Sequence, residues 1–346
     1  MASHPEIFKK PKGLIKMSLA QVIEHRHRGR PHPAHQGASI DLVWIEGGSF
    51  TMGSDKHYPE EAPAHRASVD GFWVDRHPVT NEEFAFFVRD TGYVTLAERA
   101  PSAADYPDAK PEMLVPASVV FEPPKHVVDM RNHLNWWTYV PGADWRHPQG
   151  PRSSLSGKAQ HPVVHVAYED AAAYASWAGK DLPTEAEWEF AARGGLDGAE
   201  YAWGDELEPD GRIMANTWHG EFPYQNLERH GFNRTSPVYA FPPNGYGLLD
   251  MIGNVWEWTS DWYAAKHKAA GSCCEGAHNP HGGPREQSFD PNVPQMQIPR
   301  KVMKGGSHLC APNYCRRYRP AARMAQPIDT ATSHLGFRCV VRGARH

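Results

Sequence analysis

The sequence has few cysteines and no long apolar run, and both absences narrow the classes to which it can belong. Only five of its 346 residues are cysteine, which excludes a small secreted scaffold held together by disulfide bonds. No apolar stretch approaches the roughly 18 residues that a membrane-spanning helix needs. The first residues, MASHPEIFKKPKG, contain no apolar core of a secretory signal. We therefore expect a cytoplasmic protein with no membrane partner, unless the chain has been trimmed.

The charge balance excludes a further class of protein. The net charge is −4, so the chain offers no broad basic surface and we expect no nucleic-acid partner. Hydrophobic residues make up 40% and charged residues 22%, which is typical of a globular protein with a substantial core. The 21 histidines suggest metal binding, but most lie among prolines and glycines, which favours structural or solvent-facing roles.

The chain divides into an extension and one folded domain. Residues 1–40 are basic and rich in histidine and proline, and we expect a loosely ordered N-terminal extension. Residues 41–346 are expected to form a single α+β domain with two or three helices, short strands and much irregular chain. Within it, residues 264–298 are expected to form an exposed insertion. Its neighbouring Cys273 and Cys274 are poorly placed to bridge each other.

Capping patterns predict where the helices begin and end. Thr80 begins T-N-E-E and Thr184 begins T-E-A-E, and both are capping boxes that open a helix. Glycines at 92 and 194 are expected to end these two helices. A third, alanine-rich helix is predicted for residues 170–178. The run DLVWIEGGSFTMGS alternates and contains glycines, which predicts a strand and a hairpin turn.

Two cysteines five residues apart are the most informative feature of the chain. Cys310 and Cys315 lie in the run KVMKGGSHLCAPNYCRRYRPAAR, with arginines at 316, 317 and 319. Nearby cations favour the thiolate form, which is both a nucleophile and a ligand for soft metals. The alternative is a local disulfide or two buried small apolar side chains, because the spacing alone is a weak pattern.

Five blocks of the sequence, taken in order, resemble the formylglycine-generating enzymes, also called sulfatase-modifying factors. They are GGSFTMGS, HPVTNEEFAFFV, HPVVHVAYEDAAAYASWAGKDLPTEAEWEFAARGG, NGYGLLDMIGNVWEWTSDWY, and GGSHLCAPNYCRRYRPAAR followed by SHLGFRC. The likeness covers residues 41–342. The helical and GNVWEW blocks are shared with a wider superfamily, so they indicate the fold more than the activity. The block with both cysteines is the specific one.

The resemblance implies a C-type-lectin-like fold with little regular secondary structure, in which residues 41–346 form the catalytic domain. It also implies an activity. Such enzymes use molecular oxygen and a reductant to oxidise one cysteine of an unfolded or nascent sulfatase, within a Cys-x-Pro-x-Arg segment, to Cα-formylglycine.

Oxidation of this kind constrains the cofactor. Removing hydrogen from an unactivated carbon normally requires a redox metal or an organic cofactor. Two thiolates without a histidine suit Cu(I), and by resemblance Cys310 and Cys315 hold Cu(I) as a near-linear pair. The alternative is that they form a redox-active disulfide that exchanges with the substrate.

The resemblance also implies roles for five other side chains. Ser307 matches a position in the oxygen pocket, and Trp256 and Tyr314 match aromatic positions that line the site. Arg319 and Phe241 match positions in the substrate groove. Each has a plainer alternative, namely a turn serine, aromatic core packing or a surface charge.

A structural calcium ion is predicted in the segment DMIGNVWE. Asp250 and Glu257 supply carboxylates around a turn, and Gly253 and Val255 supply carbonyls. Hard cations bind such oxygen clusters, and the resemblance favours calcium here. The alternative is a solvated acidic turn in which Glu257 pairs with an arginine.

By resemblance, a second calcium site would use the side chain of Asn216 and the carbonyls of Thr217 and Phe232. Its carboxylate position is taken by His230. Because neutral imidazole is a poor ligand for calcium, this departure weakens the prediction.

Structural disulfides of secreted relatives are expected to be absent here. Ala175, Ala192 and Pro320 stand where three of the four cysteines would be, and Cys339 remains. Cys339 should therefore be a buried free thiol.

Two other functions stay open. A mononuclear iron sulfoxide synthase would need a histidine-rich iron motif, usually on an added helical bundle, and residues 1–40 are too short for that bundle. A lectin-like binding module without catalysis would not need the cysteine pair.

Overall fold

Long irregular connections separate the regular elements of this protein. The computed structural model describes residues 41–343 except 105, 107–108, 268–275 and 296. The predicted extension over residues 1–40 therefore lies outside the described residues, as do Cys273 and Cys274. No helix in the part of the chain that the structure describes has both the length and the apolar character needed to cross a bilayer.

The described residues contain three α-helices. They are Asn81–Thr91 (α1), Tyr168–Trp177 (α2) and Glu185–Arg193 (α3). Thr80 and Thr184 cap α1 and α3 through the predicted capping boxes. Gly92 and Gly194 follow these helices in the left-handed conformation, with φ of 69° and 57°. Both predicted helices are thus confirmed, whereas α2 begins two residues before the predicted start.

Short strands make up four small sheets in the described chain. The strands are β1 Leu42–Ile45, β2 Gly48–Met52, β3 His65–Val69, β4 Phe72–Asp75, β5 Ala117–Phe121, β6 Trp137–Pro141, β7 Trp256–Trp262, β8 Ala277–His278, β9 Arg300–Lys304, β10 Arg323–Pro327, β11 Leu335–Gly336 and β12 Val340–Arg342. Their orders are β1-β4-β12, β10-β9-β7-β11, β2-β3-β8 and β5-β6. The predicted α+β class with little regular secondary structure is confirmed.

The predicted hairpin near the start of the domain is wrong. β1 pairs antiparallel with β4, whereas β2 pairs antiparallel with β3, so the two neighbouring strands belong to different sheets. Gly47 lies between them, where a Cβ atom would be 2.4 Å from the carbonyl oxygen of Val69. The glycine therefore allows the chain to pass close to another backbone as it leaves one sheet for the next.

The buried aromatic residues form a large and a small cluster. The large cluster includes Trp188, Trp256 and Trp258, together with Cys310 and Cys315. The small cluster contains Phe121, Trp136, Trp218, Phe222, Leu309 and Ala311. Because Leu309 and Ala311 flank Cys310, the small cluster packs directly against the loop that carries the cysteines.

The predicted state of Cys339 is confirmed. It is a buried free cysteine. Ala175 and Ala192 are buried as well, so small side chains fill positions at which the resemblance placed cysteines.

Candidate active site

The Cys310 and Cys315 side chains meet inside the protein. Their Sγ atoms are 3.2 Å apart, and both residues are free and buried. A disulfide bond would place the sulfurs about 2.05 Å apart. In this structure the pair is therefore two reduced sulfurs in contact, with one positioned to donate a hydrogen bond to the other.

Tight turns after β9 set the positions of these sulfurs. Gly305 and Gly306 have φ of 95° and 70°, a conformation that side chains with a Cβ atom rarely adopt. A Cβ atom on Gly306 would also lie 2.8 Å from the carbonyl oxygen of Arg317. Cys315 then donates its backbone N–H to the carbonyl of Ala311, at 2.9 Å. The glycines thus permit the close return of the chain that brings the sulfurs together.

The two thiols differ in acidity. The hydrogen bond from the Cys310 thiol lowers the pKa of Cys315, and the Arg317 guanidinium, whose Nη1 lies 3.9 Å from the Cys315 sulfur, lowers it further. Burial raises the pKa of Cys310 well above its usual value. The pair therefore favours one thiolate, on Cys315, and one thiol, on Cys310. Since the groups titrate together, this is a property of the pair.

Ser307 lies in the same turn as Cys310. Its backbone N–H donates to the Cys310 sulfur at 3.4 Å, and its buried hydroxyl accepts the N–H of Leu309 at 3.2 Å. Ser307 thus contacts the Cys310 sulfur through its backbone, and its hydroxyl lies in the same turn. A role beside oxygen stays a prediction, because the same contacts suit a turn serine.

The two predicted aromatic residues lie at different depths. Trp256 in β7 is buried in the cluster that also contains both cysteines. Tyr314 is 42% exposed, and its ring stacks on Phe222 with 4.3 Å between centroids. The Trp136 ring packs edge-on against the Tyr314 ring, with 5.6 Å between centroids. Tyr314 therefore presents a supported aromatic surface next to Cys315.

Arg319 does not face an open groove. It is only 1% exposed, and its two terminal nitrogens bind the carboxylate of Glu61 at 2.8 and 2.5 Å. Its Nε also donates to the carbonyl of Arg316 at 2.8 Å. The guanidinium is therefore enclosed in an internal ion pair, and the contact between Arg319 and the substrate stays a prediction.

Phe241 is also buried rather than open to a groove. Its ring packs against His230 and Phe232, with centroids 5.9 and 6.2 Å apart. The structure therefore joins it to the residues of the second predicted calcium site, and the predicted groove role is not supported by this placement.

The first predicted calcium site is only partly suited to an ion. Asp250 Oδ2 accepts from the Asn254 amide at 2.7 Å, while its buried Oδ1 has no hydrogen-bond partner within the described residues. Burial raises the pKa of Asp250 to about 7 because the charged carboxylate loses its hydration. An adjacent cation would stabilise that charge. Glu257, by contrast, binds Arg338 at 2.7 and 2.8 Å and the Trp188 indole at 2.8 Å. The arginine alternative for Glu257 is thus the observed one.

In the second predicted calcium site, a histidine side chain bonds to one of the carbonyls that would bind the ion. His230 Nε2 is 2.9 Å from the carbonyl oxygen of Thr217, and Nδ1 is 3.2 Å from the Phe232 N–H. Nε2 must donate, because the carbonyl can only accept. The N–H therefore occupies the oxygen that an ion would need, although Asn216 Oδ1 is buried and lacks a partner in the described chain.

Both predicted calcium sites belong to one network that reaches the cysteine loop. Asn254 donates its backbone N–H to the Asn216 carbonyl at 2.8 Å and its amide to Asp250. Its own carbonyl lies 2.8 Å from Nδ1 of His308, two residues before Cys310. No cluster of three or more His, Cys, Asp or Glu side chains suited to a metal occurs among the residues described. Besides Asp250, any ion here would therefore depend on backbone and amide oxygens.

Sequence reasoning missed a segment that contacts the cysteine loop. The Tyr58 hydroxyl oxygen accepts the backbone N–H of Arg316 at 3.0 Å, and Glu60 pairs with Arg317 at 2.6 Å. These partners are separated by more than 250 residues, so no local spacing could have indicated them.

Known proteins resemble this chain over most of its length. The family model of the sulfatase-modifying factor enzyme 1-like domain matches residues 27–343. A formylglycine-generating enzyme of Mycobacterium tuberculosis is 54% identical over 303 residues, covering 87% of this chain and 97% of the relative. A more distant relative from Bos taurus, described as an inactive Cα-formylglycine-generating enzyme 2, is 36% identical over 316 residues, covering 89% of this chain and 90% of that protein.

A solved structure supports the fold alone. PvdO from Pseudomonas aeruginosa superposes with a TM-score of 0.59 at 24% identity, covering 91% of this chain and 99% of PvdO. At this level of identity the likeness carries no information on activity.

Proposed function

Because this chain belongs to the sulfatase-modifying factor, or formylglycine-generating enzyme, family, we propose that it converts a sulfatase cysteine into Cα-formylglycine. Membership alone does not decide activity, since the chain is also similar to a protein described as inactive. The observation that carries the proposal is the buried pair of free thiols, Cys310 and Cys315, with their sulfurs 3.2 Å apart.

The overall reaction defines what the site must provide. The substrate carbon loses two electrons as its C–S bond breaks and a C=O bond forms, and the sulfur leaves as hydrogen sulfide. Molecular oxygen accepts four electrons in all, two from this carbon and two from an external reductant. Two protons complete the balance, and one water forms for each aldehyde.

The thiol pair fits a soft metal ion. We propose that Cys310 and Cys315 bind Cu(I), which would supply the electron transfer to oxygen that side chains lack. The chemistry of the donors supports this, because the two sulfurs face each other and already share a proton. Because thiols bind metal ions as thiolates, loading of Cys310 and Cys315 would release that proton.

The neighbouring residues have separate proposed tasks. The Ser307 backbone N–H contacts the Cys310 sulfur, and we propose that the hydroxyl of the same residue donates a hydrogen bond to oxygen. Trp256 and the buried cluster around it exclude water from the sulfurs. Tyr314 offers its exposed ring to the incoming peptide.

Burial of the sulfurs also constrains the partner. A cysteine on the surface of a folded domain cannot approach thiols that are 2% and 9% exposed. An extended segment can enter such a site. We therefore propose that the partner is an unfolded or nascent sulfatase chain carrying Cys-x-Pro-x-Arg.

Oxygen consumption against copper content tests this proposal. We expect metal-free protein with reductant and a Cys-x-Pro-x-Arg peptide to be nearly inactive, and to recover with about one copper per chain, because a thiolate pair binds one soft ion. Ser307→Ala should lower the rate of oxygen use by a larger factor than it raises the KM for peptide.

The alternatives give different results in the same assay. Full aldehyde formation at copper contents below a few per cent of sites would contradict the copper proposal and favour disulfide exchange. No oxygen use and no aldehyde under any condition would favour a binding module.

We further propose a structural calcium ion next to Asp250. The orphaned Asp250 Oδ1 supports it, and the carbonyls of Gly253 and Val255 lie in the same turn. Glu257 already pairs with Arg338, so we assign it at most a shared role.

Thermal melting with and without a calcium chelator checks the calcium proposal. A ligand that binds only the native state adds about 2.7 kcal/mol at a hundred times its dissociation constant. We expect the chelator to lower the melting temperature, and Asp250→Asn to remove that difference. Equal melting temperatures, with metal analysis showing no calcium, would contradict the site.

A further inference from the structure

The chain that follows Cys315 lacks regular structure. Residues 315–318 belong to no helix or strand, so no hydrogen-bond ladder fixes the position of this sulfur. The N–H of Cys315 bonds within its own loop to Ala311. The next N–H, on Arg316, bonds to the side-chain oxygen of Tyr58 at 3.0 Å. A distant side chain thus holds the backbone directly after Cys315.

Three residues of one short segment bind residues 316, 317 and 319 of the cysteine loop. We call Tyr58, Glu60 and Glu61 the clasp. The Arg317 guanidinium lies over the Tyr58 ring, 3.7 Å from its centroid, and bonds to Glu60 at 2.6 Å. Glu61 binds Arg319 through two short hydrogen bonds inside the protein.

The clasp is itself fixed to the rest of the fold. The Glu61 N–H bonds to the Tyr58 carbonyl at 2.9 Å within a single helical turn, and the Ser54 N–H bonds to the Glu61 carbonyl at 3.0 Å. Arg323 of β10 donates to the Glu60 carbonyl at 3.1 Å. The clasp is therefore bonded to β10 on one side and to the cysteine loop on the other.

Arg317 connects the clasp to the sulfur. Its Nη1 lies 3.9 Å from Cys315 Sγ, while another of its nitrogens binds Glu60. The Tyr58 ring covers one face of the guanidinium. Free rotation of a long arginine side chain is thus restricted on the side that faces the thiol pair.

We propose that Tyr58 and Glu60 are positioning residues that hold Cys315 against Cys310. They touch neither sulfur and act through Arg316 and Arg317. The proposal takes its functional meaning from the proposed oxidation, but its test uses no turnover.

The test is the disulfide equilibrium of the metal-free protein in glutathione buffer. Cys310 and Cys315 each lose one proton and one electron to form an S–S bond, and oxidised glutathione becomes two reduced molecules. Alkylation followed by mass spectrometry of the peptide that carries both cysteines gives the oxidised fraction. A pair held in contact forms the bond more readily than a loosened pair.

We expect Tyr58→Phe and Glu60→Gln each to lower this equilibrium constant by about three- to tenfold, the range for one lost hydrogen bond. Tyr58→Phe removes a single oxygen and keeps the ring, so it decides the matter even if Glu60→Gln folds poorly. An unchanged equilibrium constant in folded Tyr58→Phe would overturn the proposal.

A matched control separates positioning from general destabilisation. Glu208→Gln weakens another partly exposed ion pair, in which Glu208 binds Arg229 at 2.7 and 2.8 Å. We expect it to leave the thiol equilibrium unchanged. A lower melting temperature in the clasp variants without a shift in that equilibrium would indicate a purely structural role and contradict positioning. Because no copper or peptide is present, failure here leaves the proposed oxidation standing, and failure of aldehyde formation leaves the clasp standing.

Discussion

Replacing either Cys310 or Cys315 with alanine is expected to abolish aldehyde formation on a peptide that carries Cys-x-Pro-x-Arg. Each variant keeps one sulfur, which is too few to bind a soft ion as a pair and too few to form an internal disulfide. The loss is therefore expected under both the copper mechanism and the exchange mechanism. Mass spectrometry of the peptide measures it directly.

Cys339→Ala provides the matched control for these variants. Cys339 is also a buried free thiol, and its N–H bonds to Asp75 at 2.8 Å. We expect a folded Cys339→Ala protein to retain turnover. Turnover at the unmodified rate by folded Cys315→Ala would defeat the assignment of the site.

Glu257→Gln is expected to lower the free energy of unfolding by about 3–5 kcal/mol, the usual cost of breaking a buried ion pair on one side. Glu257 and Arg338 are both fully buried. Without the carboxylate charge, the guanidinium stays enclosed with carbonyl partners such as Leu249 and loses the counter-ion that is bonded to it. Urea denaturation monitored by fluorescence measures the change.

An exposed ion pair serves as the comparison. Arg131 and Asp129 bond to each other with side chains that are 91% and 51% exposed, so Asp129→Asn should cause no measurable change. If Glu257→Gln were equally silent, the enclosed arginine would have to be stabilised by its carbonyl partners alone.

Local chemistry made part of this structure predictable. Thr80 and Thr184 cap helices through partners three residues away, and a capping box is complete within four positions of the sequence. The cysteine pair and Ser307 likewise fall within nine residues. Such features depend on short-range geometry, so the amino-acid order alone indicates them.

Pairings across the chain were not predictable in the same way. Arginine is usually a surface residue, but Arg319 is buried, with Glu61 from 258 positions away as its partner. β1 and β2 follow each other in the sequence, but β1 pairs with β4 and β2 pairs with β3. In these cases distant neighbours decide the outcome, and one sequence carries no record of them.

The two sulfurs of the thiol pair are anchored to different regions of the protein. The carbonyl of Cys310 accepts the N–H of Trp218 at 3.0 Å, within the small aromatic cluster, whereas the chain after Cys315 is held by Tyr58. A fragment that began after residue 61 would contain the complete cysteine loop and still lack one of its two supports. The minimal unit able to set the spacing of the sulfurs therefore extends far beyond the block that contains them. Transplanting that block alone onto another scaffold would transfer the residues without transferring their geometry.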